Sequence, residues 1–116
     1  MPLDEDQRAL LAAVVDRILP PEQVGSDVQA PALARVEQEL AGEELTRWLR
    51  GLANEAVAVF GQGFLDMHIG TRDELLDRIE AENCRANWKM NPTAYFGRII
   101  DVVAEAYQRG GNAEAS

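Results

Sequence analysis

Several residue types are scarce in this 116-residue chain, and each scarcity excludes a class of site. Cys84 is the only cysteine, so no disulfide can form within the chain. Neither of the two serines, Ser26 and Ser116, lies in the Gly-x-Ser-x-Gly motif of serine hydrolases. The one histidine, His68, has no cysteine or second histidine near it in sequence to complete a zinc site. We therefore expect no catalytic, cofactor-binding or metal-binding residues in this chain.

Positive charge and long apolar runs are also scarce. Lys89 is the only lysine and the net charge is −9, whereas binding to a phosphate backbone needs clustered cations. No apolar run reaches the roughly 18 residues that span a bilayer, and the first six residues are acidic where a signal peptide would be basic. We expect no nucleic-acid partner, no membrane span and no export signal, and a cytoplasmic location for the chain as written.

The composition that remains is typical of a folded globular domain, with 47% hydrophobic and 27% charged residues. Apolar residues recur at steps of three and four in five segments, and no segment alternates with period two over more than a few residues. This pattern predicts an all-α, single-domain bundle of about five helices. The predicted helices lie near residues 5–19, 31–41, 43–60, 72–82 and 92–109.

The last predicted helix has the clearest beginning and end. Asn91 is expected to cap it, and Pro92 suits the first helical position because its missing N–H would have no partner there. Gly110 and Gly111 are expected to end it in the left-handed conformation. We expect this helix to be the central one on which the others pack. Its apolar face comprises Phe96, Ile99, Ile100, Val103, Ala106 and Tyr107.

Two other helices have recognisable starting signals. The segment from Asp4 to Gln7 resembles a capping box, in which each of these two side chains binds the other's backbone N–H. Thr71 and Glu74 have the same spacing and predict the start of the fourth helix at residue 72. We interpret His68, in the apolar stretch before it, as a structural residue. Cys84 beside Arg85 is interpreted as an unpaired structural thiol, with a reactive thiol as the alternative.

Three aromatic residues are candidates for contact with a partner protein. Trp88 lies in a polar segment without helical periodicity, and Tyr95 and Tyr107 lie on the helix that follows. Exposed tryptophan and tyrosine side chains are favoured in interfaces, where they often dominate the binding energy. The alternative is that these side chains only cover the end of the bundle.

Two stretches resemble the small subunit, called subunit 3 or gamma, of gluconate 2-dehydrogenase and related FAD-dependent sugar dehydrogenases. The stretch from Leu10 to Pro20 is similar to that family's first helix, which runs through an aspartate into an apolar pair and a proline. The stretch from Tyr95 to Asn112 is similar to the family's closing helix and its Gly-Gly-Asn end. Together they cover about a third of the chain. The family's usual Pro-Gly-Ala is replaced by residues 29–32, and its twin-arginine export signal does not appear in the sequence.

The resemblance implies a non-catalytic partner of a large flavoprotein of the glucose-methanol-choline type. That large subunit would bind FAD and oxidise the sugar, and a cytochrome subunit would be an optional further partner. The small subunit would support the folding, stability or export of the large one, and would be periplasmic if exported with it. The partner contact is expected at the closing helix and the residues before it, through Trp88, Tyr95, Tyr107, Gly110, Gly111 and Asn112.

Two other functions fit the same residues. A stand-alone helical interaction module, or a homodimer, would use the same aromatic surface on another protein or on a second copy. An enzyme using His68 with nearby carboxylates is a third interpretation.

Overall fold

The computed structural model describes residues 3–20, 26–40 and 42–115, and of residues 26–28 and 109–115 it describes the backbone only. Within these residues the chain forms five α-helices and one 3-10 turn, at Phe64–Asp66, and no strand. This confirms the predicted all-α bundle of about five helices. The helices are α1 (Glu5–Ile18), α2 (Ser26–Glu39), α3 (Glu43–Phe60), α4 (Ile69–Glu80) and α5 (Pro92–Ala115).

Helix α5 is the central element, because it contacts each of the other four helices and packs most extensively on α2. Its predicted apolar face supplies side chains to one continuous core, to which every helix contributes, except that Tyr107 is 44% exposed. Burying such aliphatic and aromatic side chains stabilises the fold by about 1.5–3 kcal/mol each. The largest fully buried side chains are Trp48, Phe64, Phe96, Leu11, Leu45, Leu49, Leu52, Leu75, Ile79, Ile99, Glu55 and Val14.

Three of the predicted helix ends are confirmed in detail. The side chain of Asp4 accepts a hydrogen bond from the Gln7 N–H (2.8 Å), and the Gln7 side chain accepts one from the Asp4 N–H (3.2 Å). The side-chain oxygen of Asn91 accepts from the Ala94 N–H at 3.0 Å. Gly61 ends α3 with φ of 70°, in the left-handed region that glycine reaches without strain.

The predicted start of the second helix is wrong by five residues, because α2 begins at Ser26 and contains Pro31. Proline has no N–H to pair with the carbonyl four residues earlier, but its ring here is exposed to solvent. The early turn is held in place by Gln29, whose side-chain amide donates to the Leu19 carbonyl at 2.7 Å. A contact with the end of α1 thus outweighs the local signal of the proline.

The capping box predicted at Thr71 is also wrong, since α4 begins at Ile69 and His68 is its cap. The imidazole Nδ1 of His68 accepts from the Gly70 N–H at 3.5 Å, and its ring is exposed. Arg72 explains the earlier start. Its guanidinium donates to the carbonyls of Phe64 (3.0 Å) and Leu65 (2.7 Å), which joins the first turn of α4 to the 3-10 turn.

The predicted stop at Gly110 and Gly111 is wrong as well, because α5 continues through both residues to Ala115. Glycine permits the left-handed conformation without requiring it, and the cost of a helical glycine is about 1 kcal/mol. The alanines that follow, Ala113 and Ala115, belong to the residue type with the highest helix propensity. Gly-Gly therefore weakens this helix without ending it.

The end of α4 contains the one described non-glycine residue with positive φ, Glu82, at 60°. The Asn83 N–H donates to the Arg78 carbonyl (2.8 Å) and the Glu82 N–H to the Ile79 carbonyl (3.2 Å). This pair of bonds is the Schellman motif, in which the left-handed position is usually glycine. The motif turns the chain out of α4 into the segment that leads to α5.

Replacing Glu82 with glycine is expected to stabilise the protein by about 0.5–1 kcal/mol, because glycine is left-handed without strain. The matched variant Glu74→Gly removes the same charge from an exposed position in the middle of α4, where glycine is expected to destabilise by about 0.5–1 kcal/mol. Urea unfolding of both variants beside the parent measures the difference. Equal unfolding free energies for the two variants would contradict the left-handed assignment.

Candidate partner-binding surface

The α4–α5 loop, residues 81–91, runs antiparallel to α3 along one stripe of that helix. The stripe consists of Arg47, Gly51 and Glu55, which are spaced by four residues and so share a helix face. Glu55 and Gly51 contact the loop, and Arg47 lines a cavity together with the end of the loop. Together the contacts place the loop and its tryptophan on the surface of the bundle beside the start of α5.

The first contact is made by Glu55, whose side chain is fully buried with 0% exposure. Its carboxylate accepts hydrogen bonds from the backbone N–H of Arg85 (2.6 Å) and of Ala86 (2.9 Å). The indole Nε1 of Trp88 donates a third, at 2.8 Å. Hydrogen bonds to a charged group are the stronger kind, each contributing about 1.5–3 kcal/mol. One carboxylate thus fixes the path of the loop and the orientation of its tryptophan.

The charge state of Glu55 follows from these bonds. Burial raises its pKa, but the Arg85 N–H, the Trp88 indole and the Ala86 N–H, together with the charge of Arg78, bring the pKa below its ordinary value of 4.5. The same carboxylate acts on Cys84. Burial and the negative charge of Glu55 raise the pKa of the Cys84 thiol, although Arg78 opposes them. That is opposite to the shift that a reactive thiol requires.

The second contact places the Trp88 ring directly over Gly51. A Cβ added at residue 51 would lie 2.3 Å from Cε3 of Trp88, so only glycine leaves room for the indole. Trp88 also lies 6.1 Å from the ring of Trp48, which stacks on Phe96 at 5.6 Å. Nε1 of Trp48 donates to the Pro92 carbonyl at 3.1 Å. The loop is therefore joined to α3 and to the first residue of α5 through aromatic packing.

At Arg47 the end of the loop lies beside α3 and the start of α5. A cavity of about 290 Å³ lies there, lined by Arg47, Met90, Asn91, Tyr95 and Arg98 among others. A second cavity, of about 340 Å³, shares Met90 and Asn91 and extends to Trp88. The two cavities form one shallow surface along the loop.

The structure places the predicted interface aromatics in three different environments. Trp88 is half-buried, and Tyr107 is 44% exposed. Tyr95 is only 4% exposed, and its hydroxyl donates to the Leu40 carbonyl at 3.4 Å. Burial raises the pKa of Tyr95 to about 12, although the nearby charge of Arg98 opposes this. Tyr95 thus belongs to the core, and its contribution to the surface is to support the Arg98 guanidinium, 5.4 Å above its ring.

The predicted interface residues are spread along the length of α5 and the loop before it. Tyr107 lies fifteen residues beyond Pro92 on α5, about 22 Å away at the helical rise of ~1.5 Å per residue. Further along the same helix lie Gly110, Gly111 and Asn112. The structure describes only the backbone of these three residues. Of the predicted set, Trp88 and Tyr95 are brought together, and contact of any of these residues with a partner stays a prediction.

Glu55 is the site residue that sequence reasoning missed, although a signal exists. It lies seven residues after Trp48 and three after Leu52, so it falls on the apolar face of α3. A carboxylate at a core position requires hydrogen-bond donors, since an unpaired buried charge is strongly destabilising. The donors lie about thirty residues later in the chain, in a segment with no periodicity.

Metal-binding and membrane-spanning features can be assessed in residues 3–20, 26–40 and 42–115. In these segments no group of three or more His, Cys, Asp or Glu side chains is arranged to hold a metal ion. None of the helices formed by these segments is both long enough and apolar enough to cross a membrane.

Comparison with known proteins identifies one family. The family model described as gluconate 2-dehydrogenase subunit 3 matches residues 5–109 of the chain. The match includes both stretches on which the resemblance was based, except for residues 110–112. The comparisons with curated proteins and with solved structures find no match.

The contact between Trp88 and Gly51 predicts opposite effects for two Gly→Ala substitutions. Gly51→Ala is expected to displace Trp88 and destabilise the protein by about 1–3 kcal/mol, because the added methyl group overlaps the ring. Gly97→Ala, on α5 with nothing within 4 Å of the added Cβ, is expected to stabilise by about 0.5–1 kcal/mol through helix propensity. Thermal unfolding measures both, and a Gly51→Ala variant as stable as Gly97→Ala would contradict the packing.

Protonation of Glu55 is expected to destabilise the folded protein in acid. The pKa of Glu55 is lower in the folded state than its ordinary value of 4.5. Its contribution to the free energy of unfolding is therefore present above pH 4.5 and is lost as the pH falls through the folded-state pKa. Glu55→Gln is expected to unfold about 2–3 kcal/mol more easily at pH 7, since a neutral amide faces three N–H donors. The difference in unfolding free energy between the parent and the Glu55→Gln variant should narrow below pH 4.5. A gap that stays constant down to about pH 3 in urea unfolding would contradict this account.

Proposed function

The chain belongs to the gluconate 2-dehydrogenase subunit 3 family, and on that premise we propose that it is a non-catalytic accessory subunit that binds the large subunit of a dehydrogenase. The supporting observation is the extent of the family match. It covers residues 5–109, which include α1 to α4 and most of α5. What the chain shares with the family is therefore the whole bundle, and not one short motif.

The proposed partner is a large FAD-dependent flavoprotein of the glucose-methanol-choline type that oxidises a sugar. In this proposal FAD and the catalytic residues belong to the large subunit, and a cytochrome subunit is an optional further partner. The family description supports the existence of a partner, because a subunit numbered 3 implies other subunits in the same enzyme. The role of the small chain is to support the folding, stability or export of the large one. Export with the large subunit would place both in the periplasm.

The α4–α5 loop is the surface that fits this role best. Trp88 combines a large, partly buried ring with an orientation fixed by Glu55 and by Trp48. A side chain that is already held in one position loses little conformational entropy when a partner covers it. The two shallow cavities beside it are lined by Met90, whose flexible side chain adapts to a neighbouring surface.

Co-expression of this chain with a candidate large flavoprotein subunit from the same genome tests the proposal. We expect the yield of soluble, active large subunit to be several-fold higher when this chain is present than when it is absent, and the large subunit to co-elute with the chain in size-exclusion chromatography. A large subunit that is equally soluble and active alone would refute the accessory role. Light scattering of the isolated chain distinguishes the accessory role from the alternative of a stand-alone interaction module. A stable homodimer that does not bind the flavoprotein would favour the alternative.

A further inference from the structure

Most of the basic side chains of the described residues fall into two groups, and Arg78 is a partly buried exception near Glu55. Away from the α4–α5 loop, most of the arginines bind acceptors within the chain. The pairs are Arg8 with Glu37 (2.8 Å), Arg17 with Asp73 (2.6 Å), Arg35 with Glu39 (2.7 Å), and Arg72 with the carbonyls of Phe64 and Leu65. These cations are therefore already used within the bundle.

The second group consists of four exposed cations, which we call the basic rim: Arg47, Arg50, Arg85 and Lys89. Within the described part of the chain, no carboxylate lies within 4.0 Å of these side chains. The chain has 20 acidic residues and 11 basic ones, so the lack of pairing is not a shortage of acids. Two exposed acids, Glu43 and Glu44, even lie on the same helix as Arg47 and Arg50 without pairing with them.

The basic rim lies on the two segments that hold Trp88, the first half of α3 and the α4–α5 loop, whereas the charged residue lining the cavity at Trp88 is Glu82. Arg47 and Arg50 lie on α3 shortly before Gly51, over which the indole packs. Lys89 follows Trp88 directly, and the backbone of Arg85 is fixed by its N–H bond to Glu55. A fifth cation, Arg98, adjoins the rim in the cavity at Arg47 and remains 58% exposed while it pairs loosely with Glu44 at 3.5 Å.

The α4–α5 loop and the first half of α3 thus combine an aromatic side chain of fixed orientation with exposed, unpaired cations, and interfaces are enriched in both features. In a chain of net charge −9 the rim is a local exception to the overall sign. A protein surface with acidic side chains would be attracted to this face and repelled by the rest of the chain. Charge complementarity of this kind raises the association rate and selects the orientation of docking.

We infer that the accessory subunit docks through Trp88 and the basic rim onto an acidic surface of the large flavoprotein subunit. The inference rests on the proposed function and adds to it the docking face and the chemistry of the surface that receives it. The acidic side chains of the partner would pair with the rim, and an apolar recess between them would cover Trp88.

The test compares two double variants in binding to the large subunit, measured by surface plasmon resonance at several salt concentrations. Arg47→Gln with Arg50→Gln removes two charges from the rim and breaks no ion pair within the described chain. Arg8→Gln with Arg35→Gln is the control, with the same net charge but remote, paired positions. We expect the rim variant to associate about tenfold more slowly, with a weaker salt dependence and a nearly unchanged dissociation rate. The control should behave as the parent does.

The outcomes separate the inference from the proposed function. A complex that forms at the same rate and with the same salt dependence in all three proteins would overturn the docking face and leave the accessory role standing. A large subunit that neither binds the chain nor needs it for solubility would overturn both. The same three proteins are tested on phosphatidylserine vesicles and on duplex DNA. Arginine-dependent binding to either, without binding to the flavoprotein, would also overturn the inference.

Discussion

The conformation of the α4–α5 loop depends on the buried carboxylate of Glu55, which accepts hydrogen bonds from three N–H groups of the loop. A buried charge is tolerated only when its hydrogen bonds are complete, so the loop and the carboxylate require each other. Without the loop, Glu55 would be an unpaired charge on the apolar face of α3. Without Glu55, the loop would have no acceptor for its own N–H groups at that point. The aromatic packing of Trp88 and the position of the cavities follow from this mutual requirement.

The same interaction links the fold to the proposed function. Helix α5 organises the core, but its first residue is joined to α3 through Trp48, which also contacts the ring held by Glu55. The exposed cations of the loop are therefore carried on a rigid part of the bundle, although they lie outside any helix. An accessory subunit that must present a defined face to a much larger protein benefits from this rigidity, because little order has to be created on binding.

The parts of the fold that were predictable from the sequence are those whose causes are local. The apolar period of α3, the capping box at Asp4 and the Asn91-Pro92 start of α5 depend on neighbours within a few residues. The starts of α2 and α4 were mispredicted because distant contacts decide them, through Gln29 on the end of α1 and Arg72 on the 3-10 turn. Trp88 was recognised as unusual by its polar setting. Glu55 could be assigned no role until its donors were located in space.

The backbone contacts of Glu55 have a consequence for evolution and engineering. The carboxylate binds the N–H groups of residues 85 and 86, which every amino acid except proline possesses, so the path of the loop does not depend on which side chains occupy these positions. Their side chains can therefore be exchanged while the loop keeps its course. A family built on this bundle could acquire new partners by changing exposed loop residues alone, and a designer could use the loop as a graft site for altered specificity.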